Sequence, residues 1–598
     1  MWLLSVLVMV LNDSASATHR KYHTSYRCNA RNLKYDSGID YIRMEKSKFV
    51  DSQTALKTVK DGSTIAVSGF NHAIAPEYLL KELYRMYIYT GHPRHLFFEF
   101  ETTPGIPGSG IDSIANELYQ NEDHEFIKGM LIPYTGFSPW SAKLIQENRI
   151  EGYMWSIGTV SYWFREVSCS RPGLITKVGI DTFTDPRDPV YHGGLMNEKA
   201  RKAMRARVSV VTLDGEEYLF YQAPKPNVAL IRGTTADEIG DISVDEEGMI
   251  TTILNIAQAA KSKPDRGTVI AQIKRITRFG SRSPKLVIVP GPLIDYLVLA
   301  PESDHWQSGS FQYNPAIVGE DFIPNMDEMV RSLTKNMNPI QAVIARRSAL
   351  ELARYISTVK RSIIINLGVG IPVYVSTVIA QEGVRDYITT TIEPGSWGGI
   401  ALSGNDFGVA LSPYAMLHMP DQFATYEGGI LDAAVLGFMQ VDRHGNVNSS
   451  YIPNRVFTGP GGFPVISRGA SLVIFAGRFM GGEQEETIRD GRLVIESEGT
   501  ERKFVKDLYM RLFSGRESQK QKQTAIYVTE RAVFKLMSKG LEIVEIAPGV
   551  DLEKDVLKNM EFEPLVPKEI PQMDPRIFDI NSPLGLSEMI GKNDGQSA

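Results

Sequence analysis

Thr64-Ile65-Ala66-Val67-Ser68-Gly69-Phe70-Asn71-His72-Ala73-Ile74-Ala75-Pro76-Glu77 joins an apolar run to a small-residue loop and the first turn of a helix that continues through Tyr78-Leu79-Leu80-Lys81-Glu82-Leu83. The apolar run reads as a buried strand, Ser68-Gly69 breaks it, and Pro76 stands where a helix begins. Upstream, Ala55, Leu56 and Val59 recur at helical spacing before the Asp61-Gly62 break. Strand, tight loop and helix in this order make a βα unit. Its loop belongs at the carboxyl edge of a parallel sheet, where open α/β sheets bind ligands.

The second half of the chain repeats the pattern. Leu350-Glu351-Leu352-Ala353-Arg354-Tyr355-Ile356 is helical, Ile363-Ile364-Ile365 is a strand, and Asn366-Leu367-Gly368-Val369-Gly370-Ile371-Pro372 leads into another apolar helix with Pro372 in the place of Pro76. A second echo follows: Val228-Ala229-Leu230-Ile231-Arg232-Gly233 with Asp237-Glu238-Ile239-Gly240-Asp241-Ile242 is matched by Ala433-Ala434-Val435-Leu436-Gly437 with Asp442-Arg443-His444-Gly445-Asn446-Val447. Two echoes in the same order predict an α/β protein of two tandem related half-domains with parallel-rich sheets. The expected division is an N-terminal extension over 1–43, a first half over 44–300, an irregular crossing segment over 301–340, a second half over 341–550 and a tail over 551–598. Pro564, Pro567, Pro571, Pro575 and Pro583 suggest a tail that wraps the surface or frays.

A chain of 598 residues is too long for one core, and 43% hydrophobic with 22% charged residues is an ordinary globular composition. The net charge of -6 has no basic block set against it, so no nucleic-acid partner is expected. Cys28 and Cys169 make no disulfide framework, and no CxxC or HExxH spacing suggests a metal. Met1 to Leu11 is apolar but too short to span a bilayer, so no stable membrane insertion is expected. Three readings of the start stay open. Ala15-Ser16-Ala17 imitates a signal-peptidase site without a basic segment before it; Arg20, Lys21, Arg27, Arg31 and Lys34 with few acids suit an organellar transit peptide; and Met44 offers a later start. An intracellular location is expected, mitochondrial from the basic segment, with the cytoplasm as the alternative.

Thr391-Ile392-Glu393-Pro394-Gly395-Ser396-Trp397-Gly398-Gly399-Ile400 contains one ionisable group, Glu393. The β-branched and aromatic Tyr387-Ile388-Thr389-Thr390-Thr391-Ile392 before it reads as a strand that Pro394-Gly395 stops. Glu393 thus sits at the ligand edge of a strand, or else is an ordinary solvated turn residue.

Further stretches carry a resemblance. They are Gly173-Leu174-Ile175-Thr176-Lys177-Val178-Gly179 with Thr182-Phe183-Thr184-Asp185-Pro186-Arg187, Ile231-Arg232-Gly233-Thr234-Thr235-Ala236-Asp237, Gln312-Tyr313-Asn314-Pro315-Ala316, Asn366-Leu367-Gly368-Val369-Gly370, Gln440-Val441-Asp442 and Gly459-Pro460-Gly461-Gly462-Phe463. From about residue 44 to about 550 the chain resembles a family I coenzyme A transferase, in the acetate/propionate branch whose two halves are fused, related to succinyl-CoA:3-oxoacid CoA-transferase. The resemblance implies an enzyme with its active site between the halves and no permanently bound cofactor. Coenzyme A, a short-chain acyl-CoA and a carboxylic acid would be its substrates, in short-chain fatty acid or ketone-body metabolism, and the protein would be a homo-oligomer. The family's nucleophile, the Glu of Glu-x-Gly-x-x-Gly-Gly, falls on Glu393.

That chemistry suits a carboxylate, which from an ordinary pKa of about 4.3 is ionised at neutral pH and needs no activating base. Catalysis would be ping-pong, through a glutamyl-CoA thioester on Glu393. Each oxyanion donor is typically worth roughly 2.7–4 kcal/mol. Asn71, His72, Ala73, Gly398 and Gly399 are the expected oxyanion and substrate contacts. Gly368, Gly370, Gly461 and Gly462 are expected where coenzyme A approaches the backbone, against the alternative that they are turn glycines. Tyr153, Trp155, Tyr162 and Trp163 read as core or as an acyl pocket, Asp442 and Asn446 as turn residues, and Glu427 as a structural acid. The family shows glutamine where Ile157 stands and a small polar residue where Pro394 stands. Those departures keep two other readings open: an acyl-CoA hydrolase using the same Glu, and a CoA-binding paralogue weakened in transfer. No G-x-G-x-x-G with a suitably placed acid supports a nicotinamide enzyme.

Overall fold

Seven strands of the first half lie in one parallel array. They are β1 (Thr64–Val67), β2 (Leu96–Phe100), β3 (Ile127–Leu131), β4 (Glu151–Tyr153), β5 (Val228–Asp237), β6 (Thr268–Thr277) and β7 (Tyr296–Leu299), in the spatial order β4-β3-β2-β1-β5-β6-β7. The computed structural model describes residues 48–333 and 337–591, so the expectations for 1–43, targeting included, lie outside the described residues. Every residue of β5 is buried, as are Ile65, Ala66 and Val67 of β1, because helices cover both faces of the sheet. The chain winds from β1 through β4 to one side and returns to pair β5 on the other. The loop after β1 therefore opens at a topological switch point.

The second sheet has β8 (Ile363–Leu367), β9 (Ile388–Thr391), β10 (Ser396–Trp397), β11 (Ala415–Met416), β12 (Ala433–Leu436), β13 (Leu472–Ala476), β14 (Thr524–Val528), β15 (Ala532–Met537) and β16 (Gly540–Ile546), in the order β11-β10-β9-β8-β12-β13-β14-β15-β16. Its parallel centre runs from β9 to β14 and its margins are antiparallel. The two sequence echoes occupy matching places: Ile65 of β1 pairs Val228 of β5, and Ile365 of β8 pairs Ala433 of β12. The repeated segments are thus the central strand pair of each sheet.

From Phe49 onward the described chain forms one unit in which the halves interlock. Gly158, at the start of the helix Ile157–Ser168, lies so close to the second half that a Cβ there would stand 2.7 Å from Phe423 and from Val465. The Thr135 amide donates to the Thr458 carbonyl at 2.7 Å, and the Thr176 hydroxyl donates to Glu427. Glu427 thus has the structural place expected of it, across the seam between the halves.

The sequence left the tail either wrapped on the surface or frayed. As far as Gly591 it is docked on the helix Pro339–Val359 instead of fraying. Its prolines prevent regular pairing, and buried Arg346 satisfies the carbonyls of Arg576, Ile577, Asp579 and Ser582. Glu382 accepts the amides of Leu584, Gly585 and Leu586 at 2.6, 2.9 and 3.1 Å. One guanidinium and one carboxylate do here what a sheet ladder does elsewhere. Among the described residues no helix is long and apolar enough to cross a membrane.

Candidate active site

Glu393 follows β9 on a turn that the neighbouring strands hold rigidly. The Asn366 side-chain amide donates to the Thr391 carbonyl at 3.1 Å, the Thr391 hydroxyl donates to the Ile365 carbonyl at 2.9 Å, and the Tyr426 hydroxyl donates to the Thr391 hydroxyl at 3.0 Å. The Gly395 amide closes the turn on the Ile392 carbonyl at 3.0 Å. Gly395 has φ +124°, and a Cβ there would collide with the Leu417 carbonyl, so no other residue fits. The turn aims Glu393 off the strand end into a cavity of about 320 Å³ between the halves.

Both halves build the walls. Phe70, Tyr134, Phe137 and Ile157 come from the first, and Gly368, Phe438, Gly461 and Gly462 are among those from the second. The loop carrying Gly461 and Gly462 is laced across the seam. Its Gly461 carbonyl accepts from the Ile157 amide at 2.9 Å, and its Gly461 amide donates to the Pro133 carbonyl at 3.1 Å. Gly462 is thereby pressed against the acid, and a Cβ on it would lie 2.5 Å from Glu393 Oε2.

Enclosure changes the acid. Burial strips water from the Glu393 carboxylate and pushes its pKa up to about 7, opposed by the Gly462 backbone N–H. The ordinary ionisation expected from the sequence is therefore corrected: at neutral pH Glu393 is divided between its two forms. The phenol of Tyr134, pushed up to about 12 by burial and by the charge of Glu393, opens on the same cavity and has no hydrogen-bond partner among the described residues.

The expected oxyanion contacts are placed differently. Asn71, His72, Ala73, Gly398 and Gly399 are not among the residues that line the cavity. The Ala73 amide is spent on the Phe70 carbonyl and on Asn71 Oδ1, each at 3.1 Å, and Asn71 Nδ2 donates to the Phe407 carbonyl at 2.7 Å. His72 Nε2 meets Ser109 Oγ at 2.6 Å. The Gly398 amide donates to the Thr390 carbonyl at 2.8 Å, the Tyr414 ring packs over Gly398, and the Leu411 carbonyl crowds Gly399. From the loop after β1 it is Phe70 that reaches the site, because Phe70 and Ala73 bond to each other and turn the intervening residues aside. Among the glycines expected near coenzyme A, Gly368, Gly461 and Gly462 line the cavity; Gly370, with φ +86° at the start of a short 3-10 turn, does not.

Tyr153, Trp155 and Trp163 are fully buried and outside the cavity lining, so they are core. Asp442 Oδ1 accepts the amides of His444 and Asn446 at 2.8 and 3.0 Å, the turn expected of it. Tyr134 and Phe137 are the residues that the sequence reading passed over. A signal was present, since Tyr134-Thr135-Gly136-Phe137 follows β3 as the Ser68–Pro76 loop follows β1, at the same sheet edge.

Residues 50–300 match the family model described as Coenzyme A transferase. The chain is 35% identical over 556 residues to a caffeate CoA-transferase of Acetobacterium woodii, covering 91% of this chain and all of that one. It is 34% identical to the acetate CoA-transferase YdiF of Escherichia coli K12, covering 90% of this chain and 96% of that one. A solved structure of the acyl-CoA transferase YdiF of E. coli O157:H7, in a thioester complex with CoA, superposes with a TM-score of 0.79 at 32% identity, covering 90% of this chain and 97% of that one. These relatives are bacterial and give no support to a mitochondrial location or a ketone-body role.

Proposed function

The chain belongs to the coenzyme A transferase family and is a transferase enzyme, and from that premise we propose that it moves coenzyme A between carboxylic acids by a covalent relay on Glu393. The observation that carries this reading is the position of Glu393: a carboxylate at a strand end, in a cavity built by both halves, pressed against a glycine backbone. The thioester complex formed by a relative of 32% identity supports it.

In the relay, a Glu393 oxygen attacks the acyl-CoA carbonyl, the C–S bond breaks, and CoA thiolate leaves a mixed anhydride. The thiolate then attacks the glutamyl carbonyl, releasing the first acid as its carboxylate and leaving a glutamyl-CoA thioester. An acceptor carboxylate attacks that thioester and expels the thiolate, which takes the new acyl group from the resulting anhydride and restores Glu393. Bonds and charge balance without a cofactor. The Gly462 N–H and the Tyr134 phenol, both on the cavity with Glu393, are the donors we assign to the oxyanions, in the role that the sequence reading gave to Asn71–Ala73 and Gly398–Gly399. The pantetheine arm would run past Gly368 and Gly461. The test is acceptor-dependent turnover: new acyl-CoA should appear only when a second acid is supplied. Free CoA released at the same rate with and without acceptor would make the protein a hydrolase instead.

Two further outcomes follow. Tyr134→Phe should lower kcat by about tenfold to a hundredfold while KM moves little, because the donor acts on charge that develops only in the transition state. An equal loss in KM alone would make Tyr134 a binding wall. The rate of adduct formation should rise about tenfold per pH unit below pH 7 and level off above about pH 8, since only ionised Glu393 attacks. Tyr134 is the other titratable group lining the cavity, and its pKa of about 12 keeps it protonated through that range. A flat profile between pH 6 and 8 would contradict the raised acid.

A further inference from the structure

The loop after β1 sends Phe70 to the Glu393 cavity, and its surroundings hold that loop in a strained shape. Asn71 and Ile74 have φ +49° and +51°, and both are fully buried. Asparagine tolerates that region, but a β-branched side chain rarely enters it, so the neighbours must impose the conformation. Buried Arg232 of β5 grips the carbonyls on either side of Ile74. Its Nη1 donates to the His72 and Ala75 carbonyls at 2.9 and 3.1 Å, its Nη2 to the Trp306 carbonyl at 2.7 Å and to Glu247, and its Nε to Glu247 at 3.0 Å. The five N–H donors of the guanidinium are thus all engaged, on the loop, on the crossing segment and on one buried acid. Three more bonds complete the hold. Glu101 accepts the Gly69 amide at 2.6 Å, the Ser68 hydroxyl donates to the Ile74 carbonyl at 2.9 Å, and Asn71 Nδ2 reaches across the seam to the Phe407 carbonyl at 2.7 Å.

What the loop delivers is a wall. The Phe70 ring is buried, meets the Phe407 ring with centroids 5.9 Å apart, and lies so near Gly408 that a Cβ there would stand 2.7 Å from it. Both rings line the cavity, whereas Asn71 and Arg232 stand outside the lining. We propose that Arg232 and Asn71 are positioning residues that act through Phe70: they hold the 69–76 loop so that the Phe70 ring closes the cavity against water. The inference rests on the reading of Glu393 as the relay, because the glutamyl-CoA thioester is the species that water would destroy. Water reaching it would attack the glutamyl carbonyl and break the C–S bond, leaving the Glu393 carboxylate, CoA thiolate and two protons. A closed wall reserves the thioester for the acceptor acid.

The test uses three variants of the full-length protein. Arg232→Lys keeps a cation beside Glu247 without the five-donor fork. Asn71→Gly keeps a residue at ease with positive φ and loses the bond to Phe407. Phe70→Ala removes the wall itself. In each, the protonation midpoint of Glu393 is followed by infrared difference spectroscopy, as the carboxylic-acid band absent from the matching Glu393→Gln protein. It should fall from about 7 by about one unit in all three as the acid regains water, and adding Arg232→Lys or Asn71→Gly to Phe70→Ala should move it no further. Among the described residues, the other titratable groups around Glu393 are the phenols of Tyr134 and Tyr426, both raised by burial and by Glu393, and Lys503 behind the Phe438 ring, its pKa pulled down by burial to about 8. They are the same in every variant. The ratio of acceptor-free CoA release to acyl transfer should rise about tenfold. Absence of any covalent adduct in the wild type would defeat the relay, yet the infrared midpoint would still decide whether Arg232 and Asn71 hold the wall. Should Arg232→Lys fail to fold, Asn71→Gly decides. An unchanged midpoint, or an unchanged ratio in a protein that forms the adduct, in any of the three folded variants would overturn the proposal.

Discussion

Glu393→Gln and Glu393→Ala are each expected to lose acyl transfer by roughly ten-thousandfold or more, the scale seen when a covalent nucleophile is removed. Neither should form the CoA-sized adduct that the wild-type protein acquires from a short-chain acyl-CoA on the peptide containing Glu393 and loses when a carboxylate is added. Mass analysis of intact protein and of that peptide reads the result. Among the described residues no other carboxylate lines the cavity, so none of them can substitute. For Glu393→Gln the loss is not expected to come from misfolding. The folded pKa of about 7 lies above the ordinary 4.5, so the protein binds an extra proton between those values and loses stability as pH rises through that window. A neutral glutamine of the same shape does not titrate. The Glu393→Gln protein should therefore melt no lower than wild type at pH 7.5. An adduct that survives in Glu393→Gln would end the relay reading; CoA binding with no adduct even in wild type would favour a CoA-binding protein weakened in transfer, as Ile157 and Pro394 leave open.

Gly462→Ala is the second large effect, about a hundredfold or more in kcat with the melting temperature nearly unchanged. The backbone there has φ -83°, which alanine adopts without strain. The added Cβ meets only the flexible end of Glu393, 2.5 Å from Oε2, so the fold yields cheaply and the carboxylate moves. A displacement of that order takes the nucleophile out of attacking position. Gly395→Ala provides the contrast. Its positive φ and the Leu417 carbonyl in the path of a Cβ make it a stability variant, seen as a lower melting temperature before any kinetic change. Full activity in Gly462→Ala would mean that the acid works in a position other than the one observed.

Much of the fold is legible in the chain itself. Strands β1, β5, β8 and β12 are covered on both faces, so their apolar runs are continuous, and the duplicated order of strand, loop and helix is a pattern in local sequence. The place of Glu393 is legible for the same reason, because β-branched residues before it and Pro394-Gly395 after it are near neighbours in the chain. What lies opposite the acid is decided only in three dimensions. Tyr134, Ile157 and Gly462 are separated by tens to hundreds of residues, and they meet because backbone bonds of the 458–462 segment to Pro133, Thr135 and Ile157 fasten the two halves together. Asn71, Ala73, Gly398 and Gly399 have the composition of oxyanion loops, yet the Asn71 side chain is taken by the distant Phe407 carbonyl, the Ala73 amide by the turn itself, and the two glycines are hemmed in by the folded 411–414 segment. Whether the tail wraps or frays was left open because its prolines forbid local structure, and the order it has comes from Arg346 and Glu382, whose charges reach it across more than 200 residues. The raised pKa of Glu393 belongs to the same category: the residue type sets an ordinary carboxylate, and only the closed cavity removes the water that would keep it so.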